Sequence, residues 1–208
     1  RDAERADERR ARFQGYISTL ARGVKPAVEY GAKTAKVVSG LGVVTEYVAF
    51  AGVVEPYVSD PTQPISKIYC YIHNGASATS GALVTEAQKI IDGYFDDDGN
   101  PVAGSSWKAA GVICVVAAAS DTPVAVTGTV SIDPGYSGVT VLAQCQGAVQ
   151  GYIQGRPVGA KVQFAELVAI LKRDVAGVLN VVITAPSADV DIASDAKAVP
   201  GTITLTAA

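Results

Sequence analysis

The chain has 208 residues, 49% of them hydrophobic, and a net charge of -3 from 17 basic and 20 acidic side chains. That is enough apolar material for one large domain or two small ones, and too much for a disordered tail. The basic residues crowd at the N-terminus instead of covering a face, which argues against nucleic acid as a partner. The uncharged run Ala109 to Ser120 is too short to span a bilayer and suits a buried strand, so no membrane partner is expected either.

Arg1 to about Leu20 reads as one helix of two unlike halves. The first twelve residues hold five arginines and four acids, with only alanines between them. Phe13, Tyr16, Ile17 and Leu20 then make an apolar stripe at helical spacing. Gly23 stops the helix, and Pro26 suits the first turn of a second one, about Lys25 to Lys36. Together residues 1–40 predict a helix-hinge-helix arm. The chain holds no methionine and begins at an arginine within this helical pattern, so it reads as a piece of a longer protein.

Val43 to Phe50 is β-branched and aromatic, as one strand would be. Residues 41–64 thus combine a strand with a connector punctuated by Pro56, Pro61 and Pro64. Residues 65–164 alternate. Ile68 to His73 reads as a strand, and a helix follows with Leu83, Ala87, Ile90, Ile91 and Tyr94 on one face, entered through Ser77, Thr79 or Ser80 as N-cap. Gly111 to Ala118 and Val124 to Ile132 read as a hairpin turning at Ser120 to Pro123. A helix from about Ser137 to Gly155 follows, then a short strand over Lys161 to Phe164. The helix's Gly138, Gly147 and Gly151 cost helix propensity, for which close packing is the plain reason and a flexible surface the alternative. The order predicts an α+β fold with a ferredoxin-like β-α-β-β-α-β body. Residues 165–208 add a helix to Arg173, a strand over Val178 to Thr184, and two short strands, Asp189 to Ile192 and Thr202 to Thr206, that close as a pair.

Little in this pattern carries chemistry. His73 is the single histidine, at a strand end, and no Gly-x-Ser-x-Gly elbow accompanies it; a local hydrogen bond suits it better than catalysis. Asp96-x-Asp98-x-Asn100 begins like a calcium loop, but Pro101 stands where glycine is needed and Trp107 where the bidentate glutamate should be, which leaves a solvated turn. Cys70, Cys114 and Cys145 are odd in number, far apart and set in apolar runs, so they read as free buried thiols. No catalytic, cofactor-binding or metal-ligating residue is expected.

The stretch Arg12-Phe13-Gln14-Gly15-Tyr16-Ile17-Ser18-Thr19-Leu20-Ala21-Arg22-Gly23-Val24-Lys25-Pro26-Ala27-Val28-Glu29-Tyr30 resembles the signature of the baseplate J-like family of phage tail proteins. The likeness continues through the tyrosine-rich strand Ile68 to Ile72, Gly155-Arg156-Pro157-Val158-Gly159, and Gly177-Val178-Leu179-Asn180-Val181 before Ala185-Pro186. Val24 departs from it, standing where the family often has a threonine able to cap the second helix.

The resemblance implies a structural subunit of a contractile-tail baseplate wedge, or of a related contractile injection machine. Such a subunit would sit in the virion tail after assembly in the host cytoplasm. Its partners would be other copies of itself and the neighbouring wedge and hub proteins. On that expectation Arg9, Arg12, Phe13, Tyr16, Ile17, Leu20, Arg22 and Tyr30 form the protein interface and Gly23 the hinge. Two other classes remain at this point: a peripheral receptor- or glycan-binding module using Tyr57, Tyr94 and Trp107, and a cell-wall hydrolase depending on His73 or Asp98.

Overall fold

The computed structural model describes residues 9–10, 23–76, 78–96, 98–100 and 106–208. The helix expected over Arg1 to Leu20 lies outside the described residues, apart from Arg9 and Arg10, which are helical and exposed. Arg12, Phe13, Tyr16, Ile17, Leu20 and Arg22 are all outside them. The described residues form five helices and three small sheets, a mixed α+β chain. It divides into two compact units between Ala119 and Ser120.

The first unit opens with α1, Lys25–Lys33, which has proline in its first turn. Val24 is its N-cap residue and provides no side-chain cap. Strands β1, Lys36–Val38, and β2, Val44–Tyr47, pair antiparallel as a separate ribbon. Strand β3, Phe50–Val54, the short helix α2, Pro56–Ser59, strand β4, Lys67–His73, helix α3, Gly81–Asp92, and strand β5, Ile113–Ala118, complete the unit. Its sheet runs β3-β4-β5, with β4 antiparallel to β3 and parallel to β5. Val28, Ala32, Leu83, Ala87 and Ile91 from the helices pack with Cys70, Ile72, Cys114 and Val116 of the strands.

The single strand expected from Val43 to Phe50 is two. Val48 is buried and its N–H donates to the Ala35 carbonyl at 3.2 Å. That inward anchor separates β2, which returns onto β1, from β3, which pairs with β4.

The second unit contains β6, Ser120–Ile132, α4, Gly138–Gly155, α5, Phe164–Asp174, β7, Val178–Ala185, and β8, Ala196–Ala207. Its sheet runs β7-β6-β8, with β6 antiparallel to β7 and parallel to β8. Val141, Cys145, Val149 and Ile153 of α4 and Leu167, Ile170 and Leu171 of α5 pack with Val124, Val126, Val130, Val181, Ile183 and Leu205 of the strands.

This pairing corrects the hairpin expected between Gly111 to Ala118 and Val124 to Ile132. Strand β5 pairs with β4, whereas β6 lies at the centre of the other sheet. The divergence sits in two adjacent backbone donors: the Ala119 N–H goes to the Ile72 carbonyl at 2.8 Å and the Ser120 N–H to the Asp195 carbonyl at 3.0 Å. Ser120 to Pro123, expected as the turn, instead start β6 opposite Ala196 to Val199. The strands assigned to a single ferredoxin-like sheet therefore do not form one.

Lys161 to Phe164 is no strand but a lone bridge, Val162 with Val190. Phe164 starts α5, and its N–H donates to the Asp189 carboxylate at 2.9 Å. The expected pairing of Asp189 to Ile192 with Thr202 to Thr206 is also absent, because Thr202 to Thr206 run within β8 beside β6. Among the described residues no helix is long and apolar enough to cross a membrane.

Candidate functional site

The joint at the start of α1 is closely built. Gly23 has φ of 91°, a left-handed conformation that favours glycine. Its N–H donates to the Trp107 carbonyl at 3.2 Å, and an added Cβ would come within 2.7 Å of the Ala109 Cβ. About two turns on, Gly31 leaves room for the Trp107 indole, where a Cβ would meet Cγ at 2.5 Å. Tyr30 is half-buried, and its ring lies 5.7 Å from the Trp107 ring at a tilt of 47°, an arrangement that aromatic quadrupoles favour. Trp107 is in turn held by its N–H on the Ile91 carbonyl at 3.1 Å. The structure thus brings Gly23 and Tyr30 together on Trp107. Arg9 is exposed, and the other expected interface residues lie outside the described ones.

A second polar cluster fixes the β1–β2 ribbon. Glu46 on β2 accepts from the Asn74 amide at 2.8 Å and the Ser80 N–H at 3.1 Å, and the Ser80 hydroxyl donates to its other carboxylate oxygen. The same hydroxyl accepts from the Leu83 N–H at 3.2 Å as N-cap of α3. Burial pushes the Glu46 carboxyl up, but the hydrogen bonds from Ser80 and Asn74 outweigh it and hold the group below the ordinary carboxylate range. The carboxylate therefore stays charged and clips strand to helix.

His73 ends β4 and is buried, with Nδ1 accepting from the Gly75 N–H at 2.8 Å, the local hydrogen bond expected of it. That acceptor role places a neutral ring's proton on Nε2. Asp96 likewise spends a carboxylate oxygen on its own turn, accepting from the Asp98 N–H at 3.1 Å and the Asn100 N–H at 2.7 Å. Among the described residues no group of three acidic, histidine or cysteine side chains could hold a metal ion. A cleft of about 200 Å³ includes Tyr57 with Gly23, Lys25 and Ile68, but neither Tyr94 nor Trp107.

Two features were not anticipated from sequence. Gln88 of α3 reaches the free edge of β5: its side-chain amide donates to the Cys114 carbonyl at 2.9 Å and accepts from the Val116 N–H at 2.7 Å. A backbone amide of a parallel neighbour would make that same pair of bonds. On the opposite edge Glu29 of α1 accepts from the Val53 N–H at 3.1 Å.

The other feature is Lys197 on β8, 1% exposed. Its ammonium donates to the carbonyls of Gln154 at 2.9 Å and Ile153 at 3.4 Å in the last turn of α4, and to Ala198 at 2.8 Å. Burial lowers its pKa from 10.5 to about 8, with Asp121 pulling up and Arg156 down. Asp121 is its register partner on β6.

Residues 124–206 match the family described as Baseplate J-like protein C-terminal domain. No curated protein matches the chain. Among solved structures it is similar to a chain of the "Cryo-EM structure of the anti-feeding prophage (AFP) baseplate, 6-fold symmetrised", at 14% identity and a TM-score of 0.43, over 72% of this chain and 33% of that one. This chain thus spans well under half of that relative's length. The stretch that matches the family runs from Val124 on β6 to Thr206 on β8 and takes in both helices of the unit. The match to this family covers most of the second unit and less than half of the chain.

Proposed function

We propose that the protein is a structural subunit of a phage tail baseplate, at the wedge, or of a related contractile injection machine, and that it is not an enzyme. The observation that carries this is the family match over residues 124–206. In this reading the chain joins other copies of itself and neighbouring wedge and hub proteins, in a virion tail assembled in the host cytoplasm. The arm supplies the contact through Arg9, Arg12, Phe13, Tyr16, Ile17, Leu20, Arg22 and Tyr30. Gly23 is the hinge at its base, and the Trp107 and Ala109 contacts define one of its settings.

Light scattering and crosslinking of the chain with neighbouring baseplate proteins test this. The expected result is a complex that weakens when Phe13, Tyr16 and Leu20 are replaced by serine. A chain that stays monomeric with every neighbour present contradicts it.

A further inference from the structure

Just past the end of β4 stands Asn74-Gly75, the one Asn-Gly pair in the chain; the other asparagines, Asn100 and Asn180, precede proline and valine. An asparagine followed by glycine is open to attack on its own side chain. The next backbone nitrogen closes onto Cγ, and glycine has no Cβ to stand in the way. That reaction needs a base for the proton on the nitrogen and a donor for the charge that gathers on the amide oxygen. It also needs water to open the ring that forms.

Each of these stands beside Asn74. The Gly75 N–H, which is the nucleophile, donates to His73 Nδ1 at 2.8 Å, within the reach of a general base. The Asn74 Oδ1 accepts from the Ala76 N–H at 3.0 Å, a backbone donor already aimed at the atom where negative charge would form. The leaving nitrogen, Nδ2, donates to Glu46 Oε1 at 2.8 Å. These bonds hold the side chain, its attacker and the base in one arrangement, and such ordering in advance lowers the entropy lost on the way to reaction. An open cleft of about 530 Å³, lined by Thr45, Glu46, Tyr47, Asn74, Ala76 and Ser80 among others, brings solvent to the amide.

We propose that Asn74 is a self-modifying site, which the chain itself converts to aspartate and isoaspartate with water as the only co-reactant. As the Gly75 nitrogen bonds to Cγ, its proton passes to His73 Nδ1 and the carbonyl electrons move onto Oδ1. The oxyanion then collapses and the Cγ–Nδ2 bond breaks. Ammonia leaves, carrying the proton that His73 gives back through solvent. One water molecule opens the resulting succinimide: breaking its Cγ–N bond gives aspartate, and breaking the bond from nitrogen to the main-chain carbonyl gives isoaspartate. Nothing is oxidised or reduced.

The consequence falls on the clip that ties β2 to α3. Either product replaces the Nδ2 donor to Glu46 by a carboxylate oxygen, so two like charges meet where a hydrogen bond stood. Glu46 then keeps only its bonds from Ser80. The base of the β1–β2 ribbon is thus held by a contact of finite lifetime, whether or not the chain enters a baseplate.

The test is to age the full chain near neutral pH, folded and in parallel unfolded in guanidinium chloride, and to follow Asn74 by peptide mapping in a mass spectrometer, with isoaspartyl methyltransferase labelling of the isoaspartate. The folded chain should convert Asn74 roughly tenfold or more faster than the unfolded one, because only the fold supplies the base and the oxyanion donor. Asn100 and Asn180 should stay intact over the same time. H73Q, with circular dichroism as the check on folding, should fall to the rate of the unfolded chain. An Asn74 that converts more slowly folded than unfolded overturns the proposal, and so does a folded H73Q that keeps the wild-type rate. Where H73Q does not fold, the comparison of folded with unfolded wild type decides alone. N74D carries the aspartyl product from the start and should unfold at a lower denaturant concentration than wild type; an N74D chain as stable as wild type contradicts the effect on the clip.

Discussion

The two units build similar sheets and satisfy their ends in opposite ways. Each has a central strand, β4 or β6, antiparallel to one neighbour and parallel to the other. In the first unit, helix side chains reach the sheet: Glu29 and Gln88 occupy backbone groups at the edges of β3 and β5. In the second, a strand side chain reaches a helix, as Lys197 of β8 fills the last turn of α4. The cause is local sequence. Helix α4 has no basic residue in its own last turn, so its terminal carbonyls take a donor from elsewhere, while α5 ends on Lys172 and Arg173. A long uncharged helix takes its C-terminal cation from a neighbouring strand.

That contrast can be broken in several places. The largest effect belongs to the core that both arrangements serve: L171A empties a fully buried position in the second unit and should cost about 2–5 kcal/mol in urea unfolding.

Lys197 comes next, and its signature is a dependence on pH. Its pKa is about 8 in the fold and 10.5 ordinarily. Below pH 8 both folded and unfolded chains carry the proton, and the full cost of burying the charge is present. Between those values the unfolded chain binds more protons, so this group makes stability rise with pH, by at most about 3 kcal/mol. K197M should lack the rise. Comparing urea midpoints of the two chains near neutral pH and near pH 10 isolates it, because Cys114, pushed up to about 11, costs both chains alike as pH climbs. Equal pH profiles would show that Lys197 is not held as described.

Q88L removes both partners of the β5 edge and leaves the Val116 N–H and Cys114 carbonyl unpaired. A loss of about 2 kcal/mol is expected. No loss would mean that another group already serves that edge.

The smallest effect has the opposite sign. Gly147 and Gly151 have nothing within 4 Å of a built Cβ, so close packing, the reason expected from sequence, does not explain them. Alanine at either position should gain about 1 kcal/mol of helix stability.

Much of the element order was legible because periodicity reports local structure. Helix α3 is read from Leu83, Ala87 and Ile91, all buried, and Ser80 proved to be its cap, whereas Tyr94, expected on the same face, lies beyond the helix end at Asp92 and is exposed. Pairing was less legible. Ser120 to Pro123 carries the local marks of a turn, yet it pairs with Ala196 to Val199, 76 positions away, and no local pattern encodes such a partner.

The site shows the same division. The local bond of His73 and the self-contained Asp96 turn followed from the chain nearby. Glu46, Gln88 and Lys197 raise no expectation from sequence, because all but one of the groups they meet lie 26 to 44 positions away. The resemblance was carried chiefly by Arg12 to Tyr30, whereas the family match falls on residues 124–206, so the two rest on different parts of the chain.

The most direct test of the central claim is to delete the gene from its host system, purify the particles and image them by electron microscopy, with and without the restored chain. The account predicts particles without a baseplate, restored by the wild-type chain and carrying it at the tail end on immunogold labelling. Complete baseplates in the deletion strain would contradict it.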